Sequence, residues 1–275
     1  MSKKRVLFIT QEMLPYLEET EIAKTARNLP QGIQQKGKEI RTFMPKFGCI
    51  NERRNQLHEV IRLSGMNLII NDNDHPLIIK VASIQAARIQ VYFIDNDDYF
   101  GRKAGLTDKE GVEFADNDER AIFYCRGVLE TVKKLGWAPD IVHCHGWMTS
   151  LVPMYIKRAF AEEPIFENTK VITSLYKTGL EGTLSEDYAY KAVLDGVDIE
   201  DVEAVKEANH ANLQKYAADW SDAIILGSKN LDQDLLDHVD KMGKPTLTEF
   251  DETNYIEEFD KFYDTILEEE NVTAE

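Results

Sequence analysis

Five short, mostly apolar runs rich in β-branched residues, Arg5–Thr10, Glu39–Met44, Asp140–Cys144, Lys170–Ser174 and Ala223–Leu226, are separated by longer segments of helical period. Strands that read as near-continuous apolar runs are buried on both faces, and strands joined through helices pair in parallel. The chain is therefore expected to be α/β, with a mainly parallel sheet covered by helices on both faces. Its 275 residues suffice for one large domain with a sizeable core.

The first helix is expected from Ile22, with Ala26, Leu29 and Ile33 on one face and Gly37 as its stop. Pro30 should kink it or set its first turn. Extended candidates at Val60–Leu63, Leu68–Ile70, Leu77–Val81 and Ile89–Ile94, with a turn at Asn71–Asp74, suggest a small β-hairpin inserted between parallel strands. Further helices are expected at Asp118–Leu135, closed by Gly136, and at Leu151–Phe160, Tyr188–Leu194, Ile199–Trp220 and Leu231–Met242. Near the C-terminus Ile256, Phe259, Phe262, Tyr263, Ile266 and Leu267 share one face of a helix with acids opposite. With no repeat and no low-complexity linker, the expected organisation is one domain over residues 1–248, with 249–275 an acidic amphipathic helix packed on it.

Forty-nine acids against 32 bases give a net charge of −17, and about −10 of it lies between Pro245 and Glu275. That balance excludes a general nucleic-acid binder, which needs clustered Lys and Arg against phosphates. Cys49, Cys125 and Cys144 are too few and too dispersed for a disulfide scaffold or a CxxC zinc site, so a reducing compartment, the cytoplasm, is expected. No apolar stretch approaches the roughly 20 residues of a membrane span, and Val6–Thr10 is too short for a signal peptide.

His143-Cys144-His145 ends a strand, and open α/β sheets bind ligands beyond the carboxyl ends of their strands. Both histidines point to one face, but no third or fourth ligand is spaced for a metal. Hydrogen-bonded core or cleft histidines are expected, with Cys144 a small core residue on the opposite face. Gln11–Glu21 contains no glycine, so no phosphate loop follows the first strand and no nucleotide or other cofactor is expected there. Ser150 and Ser174 lack a GxSxG frame. Asp95, Asp97 and Asp98 precede Tyr99-Phe100-Gly101-Arg102, and Asp116 or Asn117 is expected to cap a helix through its side chain, worth about 1 kcal/mol.

Several strings, taken in order, resemble the N-terminal domain of bacterial glycogen and starch synthases. They are Arg5–Thr10, Phe43-Met44-Pro45-Lys46-Phe47-Gly48, Arg62-Leu63-Ser64-Gly65, Val91-Tyr92-Phe93-Ile94-Asp95, Tyr99–Arg102, Asp116-Asn117 followed by Arg120, and Leu135-Gly136-Trp137-Ala138-Pro139-Asp140 running into His145. The resemblance implies a Rossmann-like, doubly wound sheet, the N-terminal half of the two-domain GT-B glycosyltransferase fold. It also implies an α-glucan acceptor and an ADP-glucose donor, the donor held mostly by a second domain before which this chain is expected to stop. Asp95, Arg102, Asp116, Asn117, His145 and Trp147 are then the candidates for a glucan cleft.

Other positions depart from the family. Where it has Lys-x-Gly-Gly this chain has Glu18-Glu19-Thr20-Glu21, Met148 replaces a histidine, and Leu175 stands in Thr173-Ser174-Leu175-Tyr176 where the family has Thr-Ile-His-Asn. Acids at Glu18 and Glu21 would repel a diphosphate. The expectation is a catalytically silent glycogen-synthase-like protein that binds α-glucan or a protein of glycogen metabolism. The alternatives are a glucosyltransferase half completed by a partner chain, and unrelated small-molecule chemistry using Cys144, His143 or His145.

Overall fold

The computed structural model describes residues 3–250 and 253–273. The strands are β1 (Arg5–Thr10), β2 (Glu39–Pro45), β3 (His58–Glu59), β4 (Met66–Ile70), β5 (Asn73–Ile84), β6 (Ile89–Asp95), β7 (Ile141–His145), β8 (Lys170–Leu175), β9 (Ala223–Leu226) and β10 (Thr246–Leu247). They lie in the order β10-β9-β8-β7-β1-β2-β6-β5-β3, with β4 paired to β5 outside this path. From β10 to β6 every pairing is parallel, whereas β5 runs antiparallel to β3, β4 and β6. This is an α/β fold with a mainly parallel mixed sheet. The order reverses at β1, whose neighbours are β2 on one side and β7 on the other, and such a reversal opens a crevice at the carboxyl ends of the strands.

The alternation of side chains along each strand divides the core into two layers. Leu7, Ile9, Phe43, Val142 and Cys144 face the helix Asn117–Leu135, which contributes Ile122, Cys125, Val128, Leu129 and Val132. Val6, Phe8, Ile141, Ile172 and Ile225 face the other way, against Leu29 and Ile33 of the helix Glu21–Gln35 and Phe259, Tyr263, Ile266 and Leu267 of the helix Tyr255–Thr273. Ile256 and Phe262 pack at the margin of this layer. Ion pairs rim the C-terminal helix: Lys38 Nζ lies 2.7 Å from Asp260 and 2.8 Å from Asp264, and Lys36 meets Glu257.

Four local expectations are corrected. The first helix begins at Glu21, where the Thr20 hydroxyl accepts the Ala23 amide at 3.0 Å, so Pro30 lies inside it and does not set its first turn. The hairpin turn is only Asn71-Asp72, with φ of +49° and +61°, a two-residue turn whose twist suits antiparallel strands. Val60–Leu63 is a turn closed by Leu63 N–H on Val60 O at 2.9 Å. The span 199–220 is broken, because Asn209 is extended and its side chain starts a new helix, His210–Trp220, by accepting Asn212 N–H at 2.9 Å. There Leu184 N–H also bonds Ala208 O at 3.0 Å, which ties the break to the preceding loop.

The C-terminal helix is thus part of the core. Phe259 is 1% exposed, so Phe259→Ala should lower unfolding stability by about 3–5 kcal/mol. A Cβ on Gly32 would lie 2.4 Å from the Ile256 side chain, so Gly32→Val should cost about 1–3 kcal/mol by pushing the helix outward. Urea midpoints unchanged in both variants would contradict this packing.

Candidate functional site

Beyond Thr10 the chain crosses the mouth of the reversal. Gln11 N–H bonds His145 O at 3.1 Å, and the Gln11 side chain lies against Gly146. Gly146 has φ of +90°, and a Cβ there would sit 2.3 Å from Gln11 Oε1, so the position demands glycine on both counts. The crevice is plugged by Gln11, which is buried, and by Met148, fully buried behind it.

The N-terminus of the first helix points toward this region. Such an end carries partial positive charge and free N–H groups and ordinarily attracts an anion. Here the chain supplies its own anions. The Thr20 hydroxyl donates to the Glu12 carboxylate, Ser228 Oγ donates to Glu21, and Glu19 pairs with Lys24 at 2.6 Å. Burial raises the Glu12 pKa above its ordinary value, against the opposing hydrogen bonds of Thr20 and Gln11. Beside these groups lies a cleft of about 1090 Å³, with Glu19, Glu21 and Lys24 on one wall and Tyr176, Phe250 and Tyr255 among its aromatic lining. Glu18 is exposed and does not line the cleft.

Behind the cleft His143 and His145 form a buried pair with ring centroids 3.9 Å apart, both fully inaccessible. His143 Nδ1 is 2.6 Å from Tyr263 OH, its Nε2 is 2.7 Å from Ser174 Oγ, and His145 Nδ1 is 2.7 Å from Tyr176 OH. His145 Nε2 has no hydrogen-bond partner among the described residues. Burial pushes His145 down to about 3, and burial together with the neighbouring ring holds His143 well below the usual histidine range. Both are neutral near pH 7. Cys144 is fully buried and burial holds its thiol well above the ordinary value, so it is no thiolate nucleophile. Among the described residues no group of three or more His, Cys, Asp or Glu is placed to hold a metal ion.

The glucan-cleft candidates fall into three groups. Asp95 is buried and bonds Lys80 at 2.8 Å, in a network in which Glu52 joins Lys80 and Lys46 at 2.8 and 2.6 Å. Arg102 pairs with Asp116, both about one-third exposed, and Asn117 lies buried behind them. Asp116 occupies the N-cap position but makes no side-chain cap bond, because its carboxylate is drawn to Arg102. Asn117 does not cap either; its amide donates to Leu106 O at 2.9 Å and accepts Arg120 Nη1 at 2.7 Å. His145 and Trp147 form the third group, and Trp147 is 3% exposed in a short 3₁₀ turn. Leu175, fully buried, ends β8.

Arg120, which entered the sequence reading only as part of a string, proves central. It is fully buried and packs its guanidinium over Phe47, Phe100 and Phe114 at 5.3 to 5.7 Å. Burial, then repulsion by Arg102, lowers its pKa to about 10 against the pull of Asp116. Gln11, Glu12 and Ser228 were also missed, since only folding brings the β1 and β9 ends together.

The histidine pair gives a signed pH dependence. Between its folded pKa of about 3 and an unfolded value near 6.5, His145 binds protons more readily in the unfolded chain. Stability should therefore rise with pH through this window and fall as pH drops below about 6.5. From pH 7 to pH 5 the loss should be about 2 kcal/mol for His145, and His143 adds to it in the same direction. Urea titrations of His145→Asn should show a shallower slope, and an unaltered slope would contradict neutral burial.

With this geometry in place, comparison with known proteins is direct. The sequence model of the starch synthase catalytic domain matches residues 5–248. The glycogen synthase of Chlorobium limicola is 36% identical over 181 residues, 66% of this chain and 37% of that protein. The glycogen synthase of Chlorobaculum tepidum is 33% identical over 235 residues, 85% of this chain and 47% of that protein. The chain thus spans less than half the length of these relatives. Its fold is similar to that of the catalytic domain of starch synthase IV from Arabidopsis thaliana bound to ADP and acarbose, with a TM-score of 0.71 at 19% identity over 92% of this chain and 53% of that one. No helix among the described residues is long and apolar enough to cross a membrane. The chain belongs to the starch synthase catalytic domain family, the glycosyltransferase family of the glycogen and starch synthases.

Proposed function

We propose that this chain is a glycogen- or starch-synthase-like protein that does not transfer glucose by itself and serves as an α-glucan-binding or regulatory module of glycogen metabolism. One observation carries the reading. At the N-terminus of the first helix, where the resemblance implies a lysine and paired glycines, carboxylates of this chain fill the space: Glu12 on Thr20 and Glu21 on Ser228. A nucleotide diphosphate brought there meets the carboxylates of Glu12, Glu19 and Glu21, and Lys24 is already paired with Glu19. Met148, buried and without a transferable proton, stands at the position of a family histidine. Asp95, Arg102, Asp116, Asn117, His145 and Trp147 remain the candidate glucan residues. Of these, Arg102 and Asp116 are the most open to an incoming hydroxyl. In this reading residues 1–248 are the family domain and the segment 249–275 seals it through the helix Tyr255–Thr273, and the free cysteines suit a reducing cytoplasm.

Membership of the starch synthase catalytic domain family supports one further reading, a glucosyltransferase half completed by a partner chain. Two measurements separate the readings. In native gels containing glycogen the pure chain should be retarded, and Arg102→Ala should restore its mobility. Labelled glucose from ADP-glucose should not enter glycogen, with or without a candidate partner. Unretarded migration would overturn glucan binding, and turnover surviving removal of contaminating synthase would overturn silence.

A further inference from the structure

The segment between Arg102 and Asp116 folds as a small hairpin. Phe114 N–H bonds Leu106 O at 3.1 Å, Thr107 and Glu113 form a bridge, and Asp108 accepts the amides of Glu110 and Val112 at 2.9 and 2.8 Å. Its tip, residues 107 to 112, is exposed. Its base is held by Asn117 on Leu106 O and Arg120 on Gly105 O, each at 2.9 Å. Its far side is held differently. The Glu113 carboxylate reaches another loop and accepts the amides of Glu181 and Gly182 at 3.0 and 3.2 Å. A Cβ on Gly182 would lie 2.9 Å from Glu113 Oε2, so a side chain at that position would push the carboxylate off the fork.

Beneath the hairpin, Arg102 Nε, Asp116 Oδ1 and Arg120 Nε are buried and have no hydrogen-bond partner among the described residues. The Phe114 ring covers them, with the Arg102 guanidinium 4.3 Å and that of Arg120 5.7 Å from its centroid. Buried donors and acceptors left unpaired carry a standing cost, and solvation on opening would relieve it. From this we infer that the hairpin Leu106–Phe114 is a strap, latched by Glu113 on the Glu181 and Gly182 amides, whose release uncovers the buried edges of Arg102 and Asp116 and the fully buried Arg120. The latch is a fork of two charge-assisted bonds on an exposed loop, whereas the base is tied by side chains of the helix. Opening at the far side breaks only the two bonds of an exposed fork and leaves the helix, the base and the sheet intact.

The strap does not depend on what the cluster binds, so its test separates from that of glucan binding. Hydrogen exchange and phenylglyoxal modification would be measured on the full chain and on Glu113→Ala, with Gly182→Ala displacing the latch from the other side. In both variants the Glu181 and Gly182 amides and the strap amides should exchange about 10-fold faster or more, and Arg102 and Arg120 should be modified faster by a similar factor. Strands β1 and β7 should keep their protection. Unchanged exchange at 181–182 would overturn the latch. Acceleration that spreads equally to β1 and β7 would mean general loosening and would overturn the strap as well.

Discussion

Tyr263 reaches from the C-terminal helix to His143 in the middle of the sheet, and this contact ties that helix to the face it covers. His143 is fully buried, and its other nitrogen is taken by Ser174 of β8. A buried imidazole is tolerated only when its polar atoms are satisfied, and here one partner comes from a helix far away in sequence. Without that helix Val6, Phe8, Ile141, Ile172 and Ile225 would form an open apolar face, a liability for any isolated sheet. Burial of Phe259, Ile266 and Leu267 and satisfaction of His143 therefore act together, and Lys38 between Asp260 and Asp264 fixes the register at the rim.

The same layer shapes the cleft. Tyr176 bonds His145 through its hydroxyl and lines the cleft, while Tyr255 and Phe259 of the C-terminal helix line it as well. Helix docking, the neutral histidine pair and the aromatic wall are thus mechanically joined. Opposite that wall the chain places carboxylates against its own helix N-terminus. The family's fold is preserved while carboxylates of this chain occupy the first turn of the helix, which is why the proposed function keeps the architecture and relinquishes phosphate chemistry.

Much of the fold was legible because strands buried on both faces announce themselves by composition. Arg5–Thr10 and Ala223–Leu226 match the structure end to end, and Gly37 and Gly136 close their helices as their freedom of φ requires. The failures have local causes. The apolar spacing over 199–220 continues through Asn209, yet the Asn209 side chain offers an amide acceptor that starts a new helix, and helical periodicity is blind to such competition. Val60–Leu63 has strand composition but is spent on a turn at the edge of β5. The site was less legible than the fold. Asp116 was named, but its engagement by Arg102 could not be seen from a helix-cap pattern. Arg120 stood only within a family string, and nothing in its spacing announced the three phenylalanines that close around it. Ser228, beyond the end of β9, and Glu21, at the start of the first helix, meet only through the fold.

If the C-terminal helix, the histidine pair and the cleft wall are one cooperative unit, they must open together. Native-state hydrogen exchange followed over increasing denaturant tests this most directly, by comparing amides of residues 259 to 267 with those of β1 and β7. The helix should exchange with the same free energy and the same denaturant dependence as the central strands. Exchange of the helix through a separate, lower-energy opening, with β1 and β7 still protected, would contradict the view that this helix completes the fold.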